Sequence, residues 1–179
     1  GVRELREQQM FEQSFGVAAA RAVDLAHDKE ADIELNRLQQ KIQDLAPTLA
    51  NWRLKKMTHY AMGQALAPLR ADVVEIHGLR ARLARASLLL ADCQKLPATE
   101  TQPRFSAKIK QGITLINAQA RKIDNALGEF HNLHMEVVAA ELSEKRRQID
   151  TSDNNKKELF EQIQALEAVI HRPASLSEK

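Results

Sequence analysis

Phe105–Asp150 reads FSAKIKQGITLINAQARKIDNALGEFHNLHMEVVAAELSEKRRQID. Apolar side chains recur in it at Ile109, Ile113, Ile116, Ala120, Ile123, Leu127 and Phe130 in alternating steps of four and three. That is the heptad signature of a helix that buries one narrow seam. No proline falls inside the stretch, and its two glycines, Gly112 and Gly128, read as lying beside the seam. One helix of about 45 residues, roughly 68 Å at 1.5 Å per residue, is therefore expected.

The residues on either side follow from that helix. Immediately upstream, Pro97–Pro103 reads PATETQP, a short loop that forces its flanking helices antiparallel, with Ser106 as the expected N-cap of the long helix. Before the loop lies a second clean seam, Ile76, Leu79, Leu83, Ala86, Leu90 and Cys93, reinforced by Leu89 and Leu96. Pro68 stands upstream of it and is expected to kink, not divide, a helix running from Thr48 to Leu96, about 49 residues long. Pro47 disfavours helical geometry at Ala46, so a first helix should stop near Leu45.

That first helix is read from Arg3, with Leu5, Phe11, Phe15, Ala18, Ala22 and Leu25 and then Leu35, Leu38, Ile42 and Leu45 on its inner side. Continuing the seam through HDKEADIE, His27 to Glu34, would bury Asp28 and Asp32, and a stutter is expected there in preference to a break. Downstream, the long helix broadens its seam through Leu133, Val137, Val138 and Leu142. A turn is expected at Thr151–Asp153, followed by a shorter helix carrying Leu159, Phe160, Ile163, Leu166, Val169 and Ile170 and ending in His171 and Arg172. The predicted fold is all-α, an elongated antiparallel bundle or coiled coil of three long helices plus a shorter C-terminal one. It is expected to form a single domain over 1–172 with a polar tail at 173–179.

Composition supports the class. Of 179 residues 44% are hydrophobic, but only one Trp, one Tyr and five Phe are present, with six Gly and five Pro, so helix formers dominate. Lys and Arg number 26 against 24 Asp and Glu, too even a balance to drive the whole chain toward nucleic acid or an anionic membrane. Stretches of low charge such as Met57–Leu69 are interrupted by His, Tyr, Gln and Pro, so no membrane span is expected. The lone Cys93 fits cytoplasm or periplasm equally, and localisation stays open. The opening at Gly1 without an initiator Met reads as a mature, processed or excised chain.

The chemistry-bearing residues are few. His131 and His134 sit at i and i+3, and a boundary-histidine reading outweighs metal ligation, for which i, i+4 spacing or a carboxylate-x-x-histidine motif is commoner. Asp24 and His27 have that motif once, where a di-metal bundle needs it twice, so neither metal nor cofactor is expected. Arg80, Arg82 and Arg85, with Arg70 upstream, form either a grip for a small anion or a solvated helix face. No aromatic interleaving accompanies them, which argues against nucleic acid. Trp52, Met57, Tyr60 and Met62 concentrate bulky side chains in one stretch, the composition of a docking surface or of packing around Pro68.

No phosphate loop, nucleophile elbow or catalytic dyad is present in the sequence. The expected function is therefore non-enzymatic, a helical scaffold, stalk or protein-docking module that binds a protein partner or itself. The alternative is an extracytoplasmic ligand-sensing helical domain of a bacterial membrane receptor, with a small anionic ligand.

Overall fold

A computed structural model describes residues 1–96, 102–151 and 156–172. They form helices α1 (Val2–Phe15), α2 (Val17–His27), α3 (Glu30–Asp44), α4 (Ala46–Arg53), α5 (His59–Gln94), α6 (Gln102–Thr151) and α7 (Lys156–Ile170). No strand occurs among the described residues, and the fold is all-α. The chain divides into two compact units. Unit one gathers Gly1–Leu35 and Glu75–Asp124; unit two gathers Asn36–Val74 and residues 125–172, so α5 and α6 each contribute to both.

Residues 1–58 are far more broken than their periodicity suggests. The expected first helix is three helices. Gly16 stands between α1 and α2 at φ 96°, ψ 161°, a left-handed region that side-chain-bearing residues rarely adopt. The expected stutter near His27 is a real break: Asp28 is extended at φ −75°, ψ 134°, and its Oδ1 accepts from the Glu30 amide at 2.9 Å, capping α3. The break at Gly16 also resets the buried face, so Ala18 is exposed while Ala19, Ala20, Ala22, Val23 and Ala26 are buried. Leu5, expected inside, is 61% exposed.

Past Leu45 the chain restarts at once as α4, with Pro47 in its first turn, where a missing N–H costs nothing. The expected Thr48–Leu96 helix is divided, but at residues 54–58 and not at Pro68, which lies inside the continuous α5. Ser106, expected to cap the long helix, is an exposed residue within α6, whose first turn already contains Pro103. Residues 97–101 of the expected loop, Ser152 and Asp153 of the expected turn and the 173–179 tail lie outside the described residues.

In unit one α5 and α6 run in opposite directions: Arg80 pairs with Asp124, Ser87 with Asn117, and Leu90 lies against Gly112. α1 and α2 rise alongside α6 in the same sense, with Phe11 edge-on to Phe105 and Ala26 joined to Gln119. The six predicted seam residues of α5 from Ile76 to Cys93 are all buried. Leu96, read as reinforcing them, is 46% exposed.

The α6 seam is shifted by one residue at two of its steps. Buried positions are Phe105, Ile109, Gly112, Ile116, Ile123, Ala126, Phe130, Leu133 and Val137, with Ala120 also buried and Ile113 and Leu127 half-buried on the flank. Gly112 is therefore in the seam and not beside it. A Cβ there would sit 3.1 Å from Leu90 Cδ1, and Leu90 is fully buried, so the small residue admits the large one opposite.

Unit two is tied differently. Lys41 Nζ reaches Asp72 Oδ2 at 2.6 Å, joining α3 to a nearly buried carboxylate on α5. Arg53 holds Glu136 through two 2.9 Å bonds, joining α4 to α6. Lys145 bonds Gln162, and Arg146 bonds Glu167, joining α6 to α7. Leu159 and Ile163 are the buried residues of α7, with Phe160 55% exposed.

Candidate functional site

The candidate site lies in unit two at the elbow between α4 and α5. α4 ends in a tight wrap: the Leu54, Lys55 and Lys56 amides donate to the Ala50, Trp52 and Asn51 carbonyls at 3.0, 2.9 and 2.8 Å. Lys55 adopts φ 61°, the only side-chain-bearing residue with positive φ among the described residues. Thr58 Oγ1 accepts from the Ala61 amide at 3.0 Å and so caps the start of α5. Each end of the elbow thus has its backbone groups occupied, and the turn is fixed by bonds at both helices.

Trp52 is 6% exposed, and its Nε1–H donates to His59 Nδ1 at 2.9 Å. The rings meet edge to face at 5.9 Å and 71°. Because Nδ1 accepts, the neutral imidazole carries its proton on Nε2. One bond therefore spans the elbow, fixing the ring of His59 at the start of α5.

Beside this pair is an open groove of about 700 Å³. One wall is Trp52, Lys55, Met57, Thr58, His59 and Tyr60; the other is Glu141, Glu144, Lys145, Arg147 and Gln148 of α6. Glu144 accepts from Arg147 at 2.7 Å, and that bond, with the charge of Arg147 and a bond from Gln148, holds its carboxyl below the usual carboxylate range. A carboxylate kept ionised in this way is suited to holding charge, not to exchanging protons near neutrality. At the margin Glu136 is likewise lowered by its bond from Arg53, whose guanidinium is raised in turn.

The four bulky residues singled out by sequence are not one surface. Trp52 and Met62 are buried, Met62 completely, Met57 is half-buried, and Tyr60 is 74% exposed. Trp52, Met57 and Tyr60 line the groove. His59, Glu141 and Glu144 were not singled out by sequence, and Arg147, with Lys145 and Arg146, reads there only as basic residues suited to a helix end. The groove partners are some eighty residues apart in the chain, and only the antiparallel course of α5 and α6 brings His59 opposite Glu144.

In unit one the three arginines also part company. Arg80 donates from Nε and Nη2 to the two oxygens of Asp124 at 2.8 and 3.2 Å, a two-pronged ion pair. Arg82 and Arg85 are exposed. Burial pushes the nearby His77 down against the opposing pull of Asp124, and its Nδ1 has no hydrogen-bond partner. Burial raises the Cys93 thiol, with Asp92 adding to it.

Among the described residues no group of three or more His, Cys, Asp or Glu is placed to hold a metal ion. No helix of the described residues is long and apolar enough to cross a membrane. Comparison of the chain with protein-family models, with curated proteins and with solved structures finds no match.

Proposed function

We propose that the chain is a non-enzymatic helical scaffold module that docks another protein at the elbow groove of unit two. The observation that carries this reading is Tyr60. It is 74% exposed at the lip of the groove, next to a histidine fixed by buried Trp52, and Leu54 on the other side of the elbow is 65% exposed. An aromatic with a polar tip, presented from a rigid turn beside a polar groove, has the make-up of an interface anchor. The scaffold part of the reading is supported by the heptad seams of α5 and α6, which pair antiparallel as in coiled-coil bundles.

Replacing Tyr60 by a photo-crosslinking phenylalanine analogue in the cell of origin is the test. A discrete crosslinked protein whose purified form binds the chain, and binds the Tyr60→Ala variant more weakly by about 1–2 kcal/mol, supports the proposal. Crosslinks to a second copy would make the partner the chain itself. Absence of any discrete product, or equal binding by Tyr60→Ala, removes the groove as a docking site.

The alternative, a ligand-sensing domain of a membrane receptor, would draw on the unit-one arginines for an anion. Arg80 is already neutralised by Asp124, which leaves Arg82 and Arg85 to support it.

A further inference from the structure

Among the described residues, His59 is the histidine whose side chain bonds another helix. His77 has an Nδ1 without a hydrogen-bond partner, and His134 stacks flat on Phe130, with ring centroids 6.2 Å apart and planes at 4°. The 2.9 Å bond from Trp52 Nε1 to His59 Nδ1 joins the last turn of α4 to the first residue of α5. The other bonds of the elbow stay within one end or the other.

The sense of that bond makes it conditional. An indole nitrogen only donates, so Nδ1 must offer a lone pair, and an imidazole that has taken a second proton carries N–H on both nitrogens. Two N–H groups would then face each other where Trp52 is 6% exposed, and the indole would be left buried without an acceptor. Imidazole is the side chain that ordinarily changes charge between pH 5 and 8.

The charged and titratable groups around the ring stand on both walls of the groove. Lys55 lies in the elbow and Tyr60 follows His59 on α5, while Glu141, Glu144, Lys145 and Arg147 face them from α6. On α4, Arg53 is taken up by Glu136. Lys145 bonds Gln162 and Arg147 bonds Glu144, so the two α6 cations are engaged. Across an opening of about 700 Å³ a charged imidazole therefore meets two carboxylates, and its charge would hold Glu144 lower still.

We propose that Trp52 and His59 form a proton-operated latch on the elbow: neutral His59 accepts from the indole and holds α4 to α5, whereas His59 protonated at Nδ1 releases the indole and turns to Glu141 and Glu144 across the groove. As control over docking the latch rests on the reading of the groove as a docking site, which it leaves open at neutral pH and obstructs in acid. As a property of the chain it is read from Trp52 alone.

The chain has one Trp, so a single indole N–H signal reports the latch in the isotope-labelled full chain, followed by NMR as pH falls through the imidazole range. At the neutral end the His59 ring nitrogens should show a proton on Nε2 and none on Nδ1. On acidification the indole signal should shift with the same midpoint as the His59 ring, and its protection from solvent exchange should drop about tenfold or more, as for one lost bond to a buried donor. His59→Gln offers an acceptor oxygen that takes up no proton in this range, so its indole should stay protected throughout. Glu141→Gln/Glu144→Gln removes the carboxylates and should move the midpoint to lower pH. The unaltered chain decides the matter even where a variant fails to fold: a proton on Nδ1 at neutral pH, an indole that ignores the His59 midpoint, or release only with collapse of the whole amide spectrum would overturn the latch. The same release in a folded His59→Gln would do so too, and an unmoved midpoint in the double variant would overturn the turn toward α6. No readout needs a partner. A silent crosslink at Tyr60 would remove docking and leave the latch, and an unresponsive indole would remove the latch and leave docking.

Discussion

Unit one and unit two both bury apolar seams, but their remaining helices are tied to those seams differently. In unit one α2 turns Ala19, Ala20, Ala22, Val23 and Ala26 inward, Gly112 receives Leu90, and Phe11, Phe15 and Phe105 close one end in edge-on contacts. In unit two the helices are joined by Lys41–Asp72, Arg53–Glu136, Trp52–His59 and Arg146–Glu167, and open grooves lie beside these pairs. Ion pairs of unit two border the open grooves, and the candidate site lies there.

The sharpest way to break that contrast is a charge in the unit-one seam. Ile116 is 1% exposed, so Ile116→Asp should unfold unit one or cost several kcal/mol in denaturant titration, because a carboxylate there has no partner. Trp52→Ala should come next, at about 3–5 kcal/mol, with faster amide exchange concentrated in α4 and the start of α5. A loss under about 1 kcal/mol would mean that the elbow is not held by the indole.

The two glycines of α6 give a finer test. Gly112→Val drives side-chain atoms into buried Leu90 and should destabilise by about 1–3 kcal/mol. Gly128 has nothing within 4 Å of an added Cβ, so Gly128→Ala should stabilise by about 0.5–1 kcal/mol through helix propensity alone. Equal melting shifts of one sign would show that close approach at Gly112 is not what shapes unit one.

The smallest expected effect is on pH. His134 is held below its ordinary value by burial first, then by Arg70, His131 and Arg172. In that window the unfolded chain binds the proton more readily than the folded one. The contribution is therefore full above the unfolded histidine value of about 6.5 and is lost as pH falls through the lower folded value. His77, pushed down by burial in unit one, acts in the same direction. His134→Phe, which keeps a ring on Phe130, should flatten the pH dependence of unit-two amide exchange and leave that of unit one, and chemical denaturation across pH 5–8 followed by exchange checks it.

The α5 seam and the extent of α6 were legible in sequence because Ile and Leu recur there without competition. The one-residue shift at Gly112 and Ala126 was not, since neither residue scores as apolar enough to outrank Ile113 and Leu127. What decides it is Leu90, on another helix. The breaks near Gly16 and Asp28 left local marks, a glycine and a capping aspartate, that a strong periodic pattern outweighed. Lys55 left none: lysine has no preference for positive φ, and only the Thr58 cap hinted at a restart. Tyr60 was found by composition. Its groove partners and the company of His134 could not be, because both depend on how far α5, α6 and α7 slide past one another.

One side chain bears on a different alignment, that of α2 along α6. Strict alternation along the α6 seam, from Phe105 through Ile116 to Ile123, makes residue 119 its next inward position, and the chain places Gln119 there. Its Nε2 donates to the carbonyl of Ala26 at 2.9 Å, in the last turn of α2, while its Oε1 is buried without a partner. A heptad pattern looks nearly the same after a displacement of seven residues, so apolar contacts alone distinguish such placements poorly. Gln119 is the index mark on the scale: moved by one repeat, its amide would leave the Ala26 carbonyl in the last turn of α2, so that the chain can tell one alignment from the next.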